Sequence, residues 1–335
     1  GIRPLLKLSY ALNWTLAPSP FAFRLVNVAL HAANALLVFL ILTEITRRRS
    51  LPPMLPLLAA ALFALHPVQT EAVTYISGRS VSLMASFYLL SLLCWLQAGR
   101  SGRPALAWLS ALAFLCAFLT RETAITLPAA LWLAGSMRAR VRPRRPAEAS
   151  LAAAAGSRRR DLRWPLAITL VALLALAFLL VLPAYRHFFA VAFAQRSPLH
   201  NLVLQVDAVY LLLGHLLLPP LMNADPVLPP VVGIDALLAA KAALLALVVV
   251  LAALAWRRRS FAGFCVLWFF LHLAPTNSVV PRLDAFNDRQ LYLAAIGAYA
   301  MLALAACRAA DRLRNLAGTG RPAVWRHLPF VLVAL

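Results

Sequence analysis

The sequence predicts an all-α protein, folded as a polytopic bundle of transmembrane helices. Of its 335 residues, 63% are hydrophobic and only 13% are charged, whereas about a quarter of a soluble domain is charged. The mean hydropathy is +0.80. Runs such as Leu166–Leu182 and Ala236–Trp256 approach the roughly 20 apolar residues that cross a bilayer. We therefore interpret residues 1–335 as one membrane-embedded module in contact with membrane lipid.

Apolar runs, separated by short polar connections, define the predicted membrane segments in chain order. These segments lie at about 22–44, 52–66, 81–98, 104–120, 122–136, 164–183, 234–256, 260–276 and 290–307, and another starts near residue 327. The four cysteines all lie inside apolar runs and none forms a CxxC pair, which indicates reduced, buried thiols. The chain begins at Gly1 and ends inside an apolar run at Leu335, so we expect a fragment at both ends.

The net charge of +21 comes from short basic blocks between the apolar segments. Cytoplasmic loops of membrane proteins have this pattern, and it argues against a nucleic-acid partner. The blocks are Arg47–Arg49, Arg100 with Arg103, the arginines between 138 and 163, Arg257–Arg259, and those from Arg308 to Arg326. Residues 137–163, rich in Pro, Ala and Arg, are predicted to form a disordered cytoplasmic linker.

One segment, Asn201–Leu218, is ambiguous. A single crossing there would reverse the topology and place Arg257–Arg259 on the outer side. It also contains three residues that are costly in hydrocarbon, namely Gln205, Asp207 and His215. We predict a re-entrant or interfacial helix within an outer loop at 184–233.

With this topology, polar residues gather at the outer side, first in HPVQTEAVTYISGRS, His66–Ser80. A helix starting at Pro67 would place Glu71, Tyr75 and Arg79 on one face. Such a face could hold a proton acceptor beside an anion-binding cation. The alternative is a link from Glu71 to Arg79, or from Glu71 to the backbone, that only ties two helices together.

Two further groups fall on the same side. Arg121 and Glu122 occupy the tightest turn of the chain, where a simple helix cap is the alternative interpretation. The stretch NSVVPRLDAFNDRQLYLAAIG supplies a third group, namely Arg282, Asp284, Asp288, Arg289 and Tyr292. Arginine suits forked recognition of phosphate oxygens, whereas Tyr292 alone is more typical of an interfacial aromatic belt. For His31, Asn34 and His272 we expect packing hydrogen bonds.

Several sequence blocks resemble, in order, the transmembrane and tetratricopeptide-repeat protein O-mannosyltransferases and their bacterial relatives. They span residues 3–297. The blocks are RPLLKLSYALNWTL with FRLVNVALHAANALLVFL, then ALFALHPVQTEAVTYISGRSVSLMASFYLLSLL, RETAITLPAALWL, LLLPPLMNADPV and APTNSVVPRLDAFNDRQLYLAAIG. The family usually has Glu at position 288, Pro at 294 and Lys at 121, where this chain has Asp288, Ala294 and Arg121. Tetratricopeptide repeats do not occur before Leu335.

The resemblance implies a GT-C-type glycosyltransferase in the bacterial inner membrane or the endoplasmic reticulum membrane. Its donor would be a sugar, mannose by analogy, on a polyprenyl or dolichyl phosphate. Its acceptor would be Ser/Thr hydroxyls of a protein or a glycan on the extracytoplasmic side. The acidic motif with the principal base would lie upstream of Gly1.

For such a reaction, a carboxylate accepts the proton of the attacking hydroxyl, and cations stabilise the leaving phosphate. Direct displacement inverts the anomeric centre. The candidate catalytic residues are Glu71 and Glu122, and the donor-phosphate ligands are Arg79, Arg121 and Arg289. Supporting roles are expected for His66, Tyr75, Arg282, Asp288 and Tyr292. No spacing of His, Asp or Glu indicates a metal site, so the sequence implies no certain cofactor and leaves a divalent metal undecided.

Three alternatives stay open from sequence. A transporter or flippase would place polar residues through the full depth of the bundle and show inverted repeats. A non-catalytic scaffold gives no reason for outer arginines to accompany acids. A related GT-C enzyme could pass another sugar to a lipid or glycan.

Overall fold

The computed structural model describes residues 3–47, 49–137, 177, 181–219, 235–282 and 286–316, and these form helices and turns without a strand. The predicted linker at 137–163 lies outside them except for its first residue. Most of the predicted segment 164–183, the segment near 327, and Asp284 also lie outside. The prediction of an all-α bundle is confirmed for the described part of the chain.

Twelve helices are described. They are α1 (Pro4–Leu16), α2 (Pro20–Thr46), α3 (Leu55–Leu65), α4 (Thr70–Thr74), α5 (Arg79–Ser101), α6 (Pro104–Thr120), α7 (Leu127–Ser136), α8 (Pro183–Gln195), α9 (Pro198–Leu217), α10 (Ala236–Arg257), α11 (Phe261–Leu273) and α12 (Leu291–Leu316). Short 3-10 turns precede α4, α5, α7 and α12.

Local sequence explains where many of these helices begin. Proline occupies the first turn of α1, α2, α3, α6, α7, α8 and α9, where its missing N–H costs no hydrogen bond. Side-chain oxygens of Ser19, Ser197, Asp235 and Ser260 cap α2, α9, α10 and α11 by accepting a first-turn N–H. Such caps satisfy donors that have no partner within a helix.

The chain is a membrane protein by the length and hydropathy of its helices. Five spans are long and apolar enough to cross, namely Pro20–Thr46, Ile76–Ser101, Pro198–Leu217, Ala236–Arg257 and Asp288–Leu313. A sixth is obtained if Leu55–Leu65 and Pro67–Thr74 count as one span, although they meet at a bend of 54°. The shorter α6 and α11 are also apolar.

The core is centred on α5 and α12, which pack against α2, α3, α6 and α11. Tyr88, Trp268 and Tyr299 are fully or almost fully buried there. Helices α11 and α12 approach each other closely at Gly297, where any side chain would collide with the backbone carbonyl of Cys265. All four cysteines are free thiols, and three of them are buried, as predicted.

The two ends of the bundle keep the predicted grouping of loops. The ion pair between Glu71 and Arg289 joins the α4 and α12 connections at one end, which we name the outer end after the predicted topology. At the other end, named the cytoplasmic end, Arg49 donates to the Met137 carbonyl over 3.0 Å. Polar connections therefore cluster by end, as the distribution of basic residues predicts.

The prediction of one continuous helix from Pro67 is wrong. Tyr75 adopts an extended backbone, with φ −72° and ψ 130°, so the chain breaks between α4 and the turn before α5. Asn27 fills the break by donating to the carbonyls of Val73 and Tyr75 over 3.2 and 3.0 Å. Glu71, Tyr75 and Arg79 consequently do not share a helix face.

The ambiguous segment forms helix α9, whose contacts lie at the outer end. Asn201 donates to the Ser278 carbonyl over 2.6 Å, and Gln205 accepts from Asn277 over 2.6 Å. Near its other end, His215 bonds to Asp288. Both ends of α9 thus contact the single connection between α11 and α12. The helix is also long and apolar enough to cross a membrane, and its re-entrant or interfacial placement stays a prediction.

We expect Gly78→Ala to destabilise the protein by about 1–3 kcal/mol, the usual cost of overpacking. A Cβ at Gly78 would lie 2.5 Å from the backbone oxygen of Ala72, so the break before α5 could not close. Thermal unfolding in detergent measures the effect. Gly214→Ala is the control, because nothing lies within 4 Å of its Cβ position. Equal midpoints for the two variants would contradict this account of the break.

Candidate functional site

Four arginines from separate parts of the chain converge at the outer end. Arg3 precedes α1, Arg121 follows α6, Arg282 lies in the connection after α11, and Arg289 lies just before α12. The charges of Arg282, Arg3 and Arg289 all act on Arg121. We name this set the outer arginine cluster. The structure therefore brings together Arg121, Arg289 and Arg282, three of the residues that the sequence singled out, and adds Arg3.

Arg121 is the residue on which the cluster centres. Its Nη1 donates to the Ser80 hydroxyl at the start of α5 over 3.1 Å. Burial is the main cause that lowers the pKa of Arg121, and the repulsion from Arg282, Arg3 and Arg289 adds to it, while Glu122 acts in the opposite sense. Gathered like charges of this kind favour an anion, which would relieve the repulsion.

Glu71 and Arg289 form the first ion pair of the site. The Nε of Arg289 lies 2.9 Å from Glu71 Oε1, and the Arg289 backbone N–H donates to Glu71 Oε2 over 3.3 Å. Asn287 accepts from both of the same nitrogens over 2.9 Å. The side chains of Glu71 and Arg289 are 23% and 25% exposed. Among the described residues, partners hold the Nε atom of Arg289 and none hydrogen-bonds to its two Nη atoms. Arg289 can therefore be oriented by Glu71 and still face a ligand.

Glu122 and Arg3 form the second ion pair, in fork geometry. The Nη2 and Nε of Arg3 donate to the two carboxylate oxygens over 2.6 and 3.2 Å. Burial alone would raise the pKa of Glu122, but the charge and hydrogen bonds of Arg3, helped by Arg121, outweigh it and lower that pKa. Glu122 therefore stays ionised, and the alternative of a simple helix cap does not describe it.

Arg79 is not placed as a donor-phosphate ligand. Its side chain is fully buried, and four hydrogen bonds hold it: to Asn27 over 3.0 Å, Asn13 over 2.6 Å, and the carbonyls of Ser9 and Phe23 over 3.1 and 3.0 Å. A guanidinium has five N–H donors, so little capacity is left for a ligand. Arg79 ties α1 and α2 to the start of α5, and the suggested Glu71–Arg79 link does not exist.

Three expected supporting residues have structural places instead. His66 accepts from the Val68 N–H over 3.2 Å and so begins the turn before α4. Tyr75 is 55% exposed, and its carbonyl holds Asn27. Tyr292 is buried, not in an aromatic belt, with its hydroxyl 2.9 Å from His31 and 3.0 Å from Asn34. The expectation of packing hydrogen bonds for His31 and Asn34 is confirmed.

Sequence reasoning missed a buried His–Asp pair beside the cluster. His215 Nδ1 lies 2.9 Å from Asp288 Oδ1, with side chains 2% and 8% exposed. The Nε2 atom of His215 is buried without a hydrogen-bond partner among the described residues. The negative charge of Glu71 also acts on Asp288. Because 73 residues separate the two partners, no local pattern reveals this pair.

We predict that Arg79→Lys destabilises the protein by about 2 kcal/mol or more. Lysine offers three donors from a single atom and cannot reproduce the guanidinium fork, and each hydrogen bond to a charged group contributes about 1.5–3 kcal/mol. Arg100→Lys is the control, since its pair with Glu44 is half exposed and such pairs contribute at most about 1 kcal/mol. Thermal midpoints in detergent that fall equally would refute the anchoring role of Arg79.

The Arg3–Glu122 pair should give a pH-dependent contribution to stability. A carboxyl whose pKa is lowered on folding stabilises the protein above its unfolded pKa of about 4.3, and that contribution disappears as the pH falls through the folded value. We therefore expect Glu122→Gln to lower the unfolding midpoint at pH 7 and the difference from wild type to shrink on acidification. A difference that is constant or grows at low pH would argue against an ionised Glu122.

Comparisons with known proteins point to one group of relatives. Protein O-mannosyl-transferase TMTC4 of Homo sapiens is 38% identical over 143 residues, covering 37% of this chain and 19% of that protein. Protein O-mannosyl-transferase Tmtc1 of Drosophila melanogaster is 39% identical over 126 residues, covering 37% of this chain and 14% of that protein. Protein O-mannosyl-transferase TMTC2 of Homo sapiens is 35% identical over 131 residues, covering 37% of this chain and 15% of that protein.

The chain spans less than a fifth of the length of these curated relatives. No family model matches the chain, and no solved structure matches it. Over about a third of its residues, the chain is thus similar to protein O-mannosyl-transferases, the family that its sequence blocks resemble.

Proposed function

We propose that this chain is the membrane part of a glycosyltransferase that moves mannose from a polyprenyl- or dolichyl-phosphate carrier to Ser/Thr hydroxyls of a protein. The reaction takes place at the extracytoplasmic end of the bundle and inverts the anomeric centre. The similarity to protein O-mannosyl-transferases supports the reaction class. The single observation that carries the proposal is the outer arginine cluster, in which four cations meet around Arg121.

The cluster has the charge that a lipid-phosphate donor requires. When the sugar leaves, negative charge develops on the carrier phosphate, and cations fixed in advance at that position lower the barrier. Glu122 pairs with Arg3 and Glu71 pairs with Arg289, while Arg121 at the centre donates to an uncharged hydroxyl, that of Ser80. In this proposal Arg121 and Arg289 bind the phosphate oxygens, with Arg282 and Arg3 adding to the field.

The two carboxylates act by positioning arginines. Glu71 fixes Nε of Arg289, and Glu122 binds Arg3 in a fork beside Arg121. The lowered pKa of Glu122 makes that carboxylate a weak proton acceptor, and both oxygens of Glu71 are occupied by the Nε and the backbone N–H of Arg289. We therefore propose that the base that takes the hydroxyl proton is a different group from Glu71 and Glu122.

The position of the cluster at the bundle end supports an enzyme over a transporter. A translocation path would continue polar groups through the membrane depth. Several buried polar residues of the interior are instead paired with one another, such as Tyr88 with His272 over 2.9 Å and Ser91 with Ser110 over 3.1 Å. These pairs act as packing contacts between helices.

The reaction is tested with membranes from cells that express the complete gene encoding this chain. They are incubated with polyprenyl-phosphate [³H]mannose and a Ser/Thr-rich acceptor peptide. We expect label on peptide hydroxyls that is released by α-mannosidase and absent from control membranes. Label on lipid or glycan would contradict a protein acceptor and favour the alternative of a GT-C enzyme that transfers sugar to a lipid or glycan. Absence of any transfer while the donor stays intact would contradict the whole proposal.

We predict that Arg289→Ala lowers kcat/KM for the lipid-linked donor by roughly 10- to 100-fold, the loss expected for one or two charge-assisted hydrogen bonds. Arg24→Ala is the matched control, because Arg24 is exposed on α2 and takes no part in the cluster. Thermal unfolding verifies that both variants are folded. Unchanged donor use by folded Arg289→Ala would remove Arg289 from the phosphate site.

A further inference from the structure

A second basic site lies at the cytoplasmic end, opposite the outer arginine cluster. The connection after α2, the end of α7, the α10–α11 turn and α12 border an open cavity of about 580 Å³. Three arginines line it, namely Arg49, Arg259 and Arg308, together with the hydroxyl residues Ser50 and Ser260. Among the described residues that line it, none is acidic, so the charged side chains of this described lining are all arginines.

Arg49 is held at the cavity wall by the protein itself. Its Nη1 donates to the Met137 carbonyl over 3.0 Å, and its Nη2 donates to the Arg259 carbonyl. Burial is the main cause that lowers the pKa of Arg49, and the charge of Arg259 lowers it further. The guanidinium groups of Arg49 and Arg259 thus repel each other, and a bound anion would offset that repulsion.

The first turn of α11 also borders the cavity. Arg259 adopts a left-handed conformation, with φ 61°, which ends α10 and lets Ser260 begin α11. The Ser260 side chain caps the N–H of Gly263, while Phe261 and Ala262, the first residues of α11, line the cavity. First-turn N–H groups have no acceptor within their own helix and, with the helix dipole, favour an anion.

We propose that this cavity binds a phosphate group, held by Arg49, Arg259 and Arg308 and by the start of α11. The wall is partly apolar, with Leu51, Phe261 and Leu304 beside the arginines, which suits the headgroup of an anionic phospholipid. The cavity also has room for several waters, each of which occupies about 30 Å³. Positive loops on this side meet the anionic lipid surface of the cytoplasmic leaflet. The site is independent of the proposed transfer reaction, because it lies at the other end of the bundle.

The test measures phosphate binding by the purified protein in detergent. Thermal unfolding is followed while the protein is titrated with phosphatidic acid, with phosphatidylcholine or with inorganic phosphate. Arg308→Glu changes a cavity residue, and Arg312→Glu is the matched control, because it lies one turn further along α12, is also exposed and does not line the cavity.

We expect phosphatidic acid to raise the unfolding midpoint more than phosphatidylcholine does. Arg308→Glu should weaken its apparent affinity about tenfold or more, the loss of one charge-assisted contact, and Arg312→Glu should retain it. A response to inorganic phosphate equal to that of phosphatidic acid, also lost in Arg308→Glu, would support the site with a soluble phosphate as its ligand.

Two results would overturn the proposal. One is equal stabilisation by all three additives, and the other is an equal loss of phosphatidic acid binding in Arg308→Glu and Arg312→Glu. If Arg308→Glu does not fold, Arg308→Gln is measured in the same titration. Unaltered affinity in that folded variant would likewise reject the site.

Discussion

The buried guanidinium of Arg79 is the constraint on which the outer end of the structure depends. A charge at this position is costly unless every donor finds a partner, and the partners come from α1 and α2: Ser9, Asn13, Phe23 and Asn27. The rings of Tyr10 and Phe23 also lie against it, at 4.8 and 5.1 Å. Satisfying this one side chain fixes α1 and α2 against the first turn of α5.

That fixation explains where the functional candidates lie. Because α1 is held at the outer end, Arg3 at its start reaches Glu122 in the turn after α6. Because the chain breaks before α5, Glu71 does not share a helix face with Arg79 and pairs with Arg289 instead. The break and the anchor together assemble residues from four distant stretches of sequence into one cluster. The function proposed for this end therefore depends on a residue that need not contact the substrate.

The bundle carries arginines at both of its ends, but they are arranged differently. At the outer end, carboxylates accompany the arginines and orient them. At the cytoplasmic end, Arg49 is instead held by backbone carbonyls, and none of the described residues that line the cavity is acidic. Oriented ion pairs are suited to a site where geometry matters for chemistry, whereas a cavity lined by arginines is suited to simple retention of an anion.

Sequence reasoning predicted the apolar helices well, because their length and hydropathy are local properties. Segment 104–120 coincides with α6, and the grouping of Glu71, Glu122 and Arg289 at one end followed from the basic blocks. It failed for the continuous helix predicted from Pro67, because hydrogen bonds from Asn27 support a break at Tyr75 that no helix propensity indicates.

Sequence reasoning also failed for partners that are distant in the chain. Arg3 and Glu122 are 119 residues apart, and His215 and Asp288 are 73 apart. The apparent pairing of Arg79 with Glu71 was suggested by helical spacing alone, and burial of Arg79 decided otherwise. Charged residues in a membrane sequence thus indicate that a site exists, while the fold decides which charges face it.

The central claim is that the outer arginine cluster binds the phosphate of a lipid-linked donor. A cryo-electron microscopy structure of the protein with a bound, non-hydrolysable polyprenyl-phosphate sugar tests it most directly. The account predicts phosphate density within hydrogen-bonding distance of Arg121 and Arg289, with Glu71 still holding Arg289. Density for the phosphate elsewhere, with the cluster unchanged and unoccupied, would contradict it.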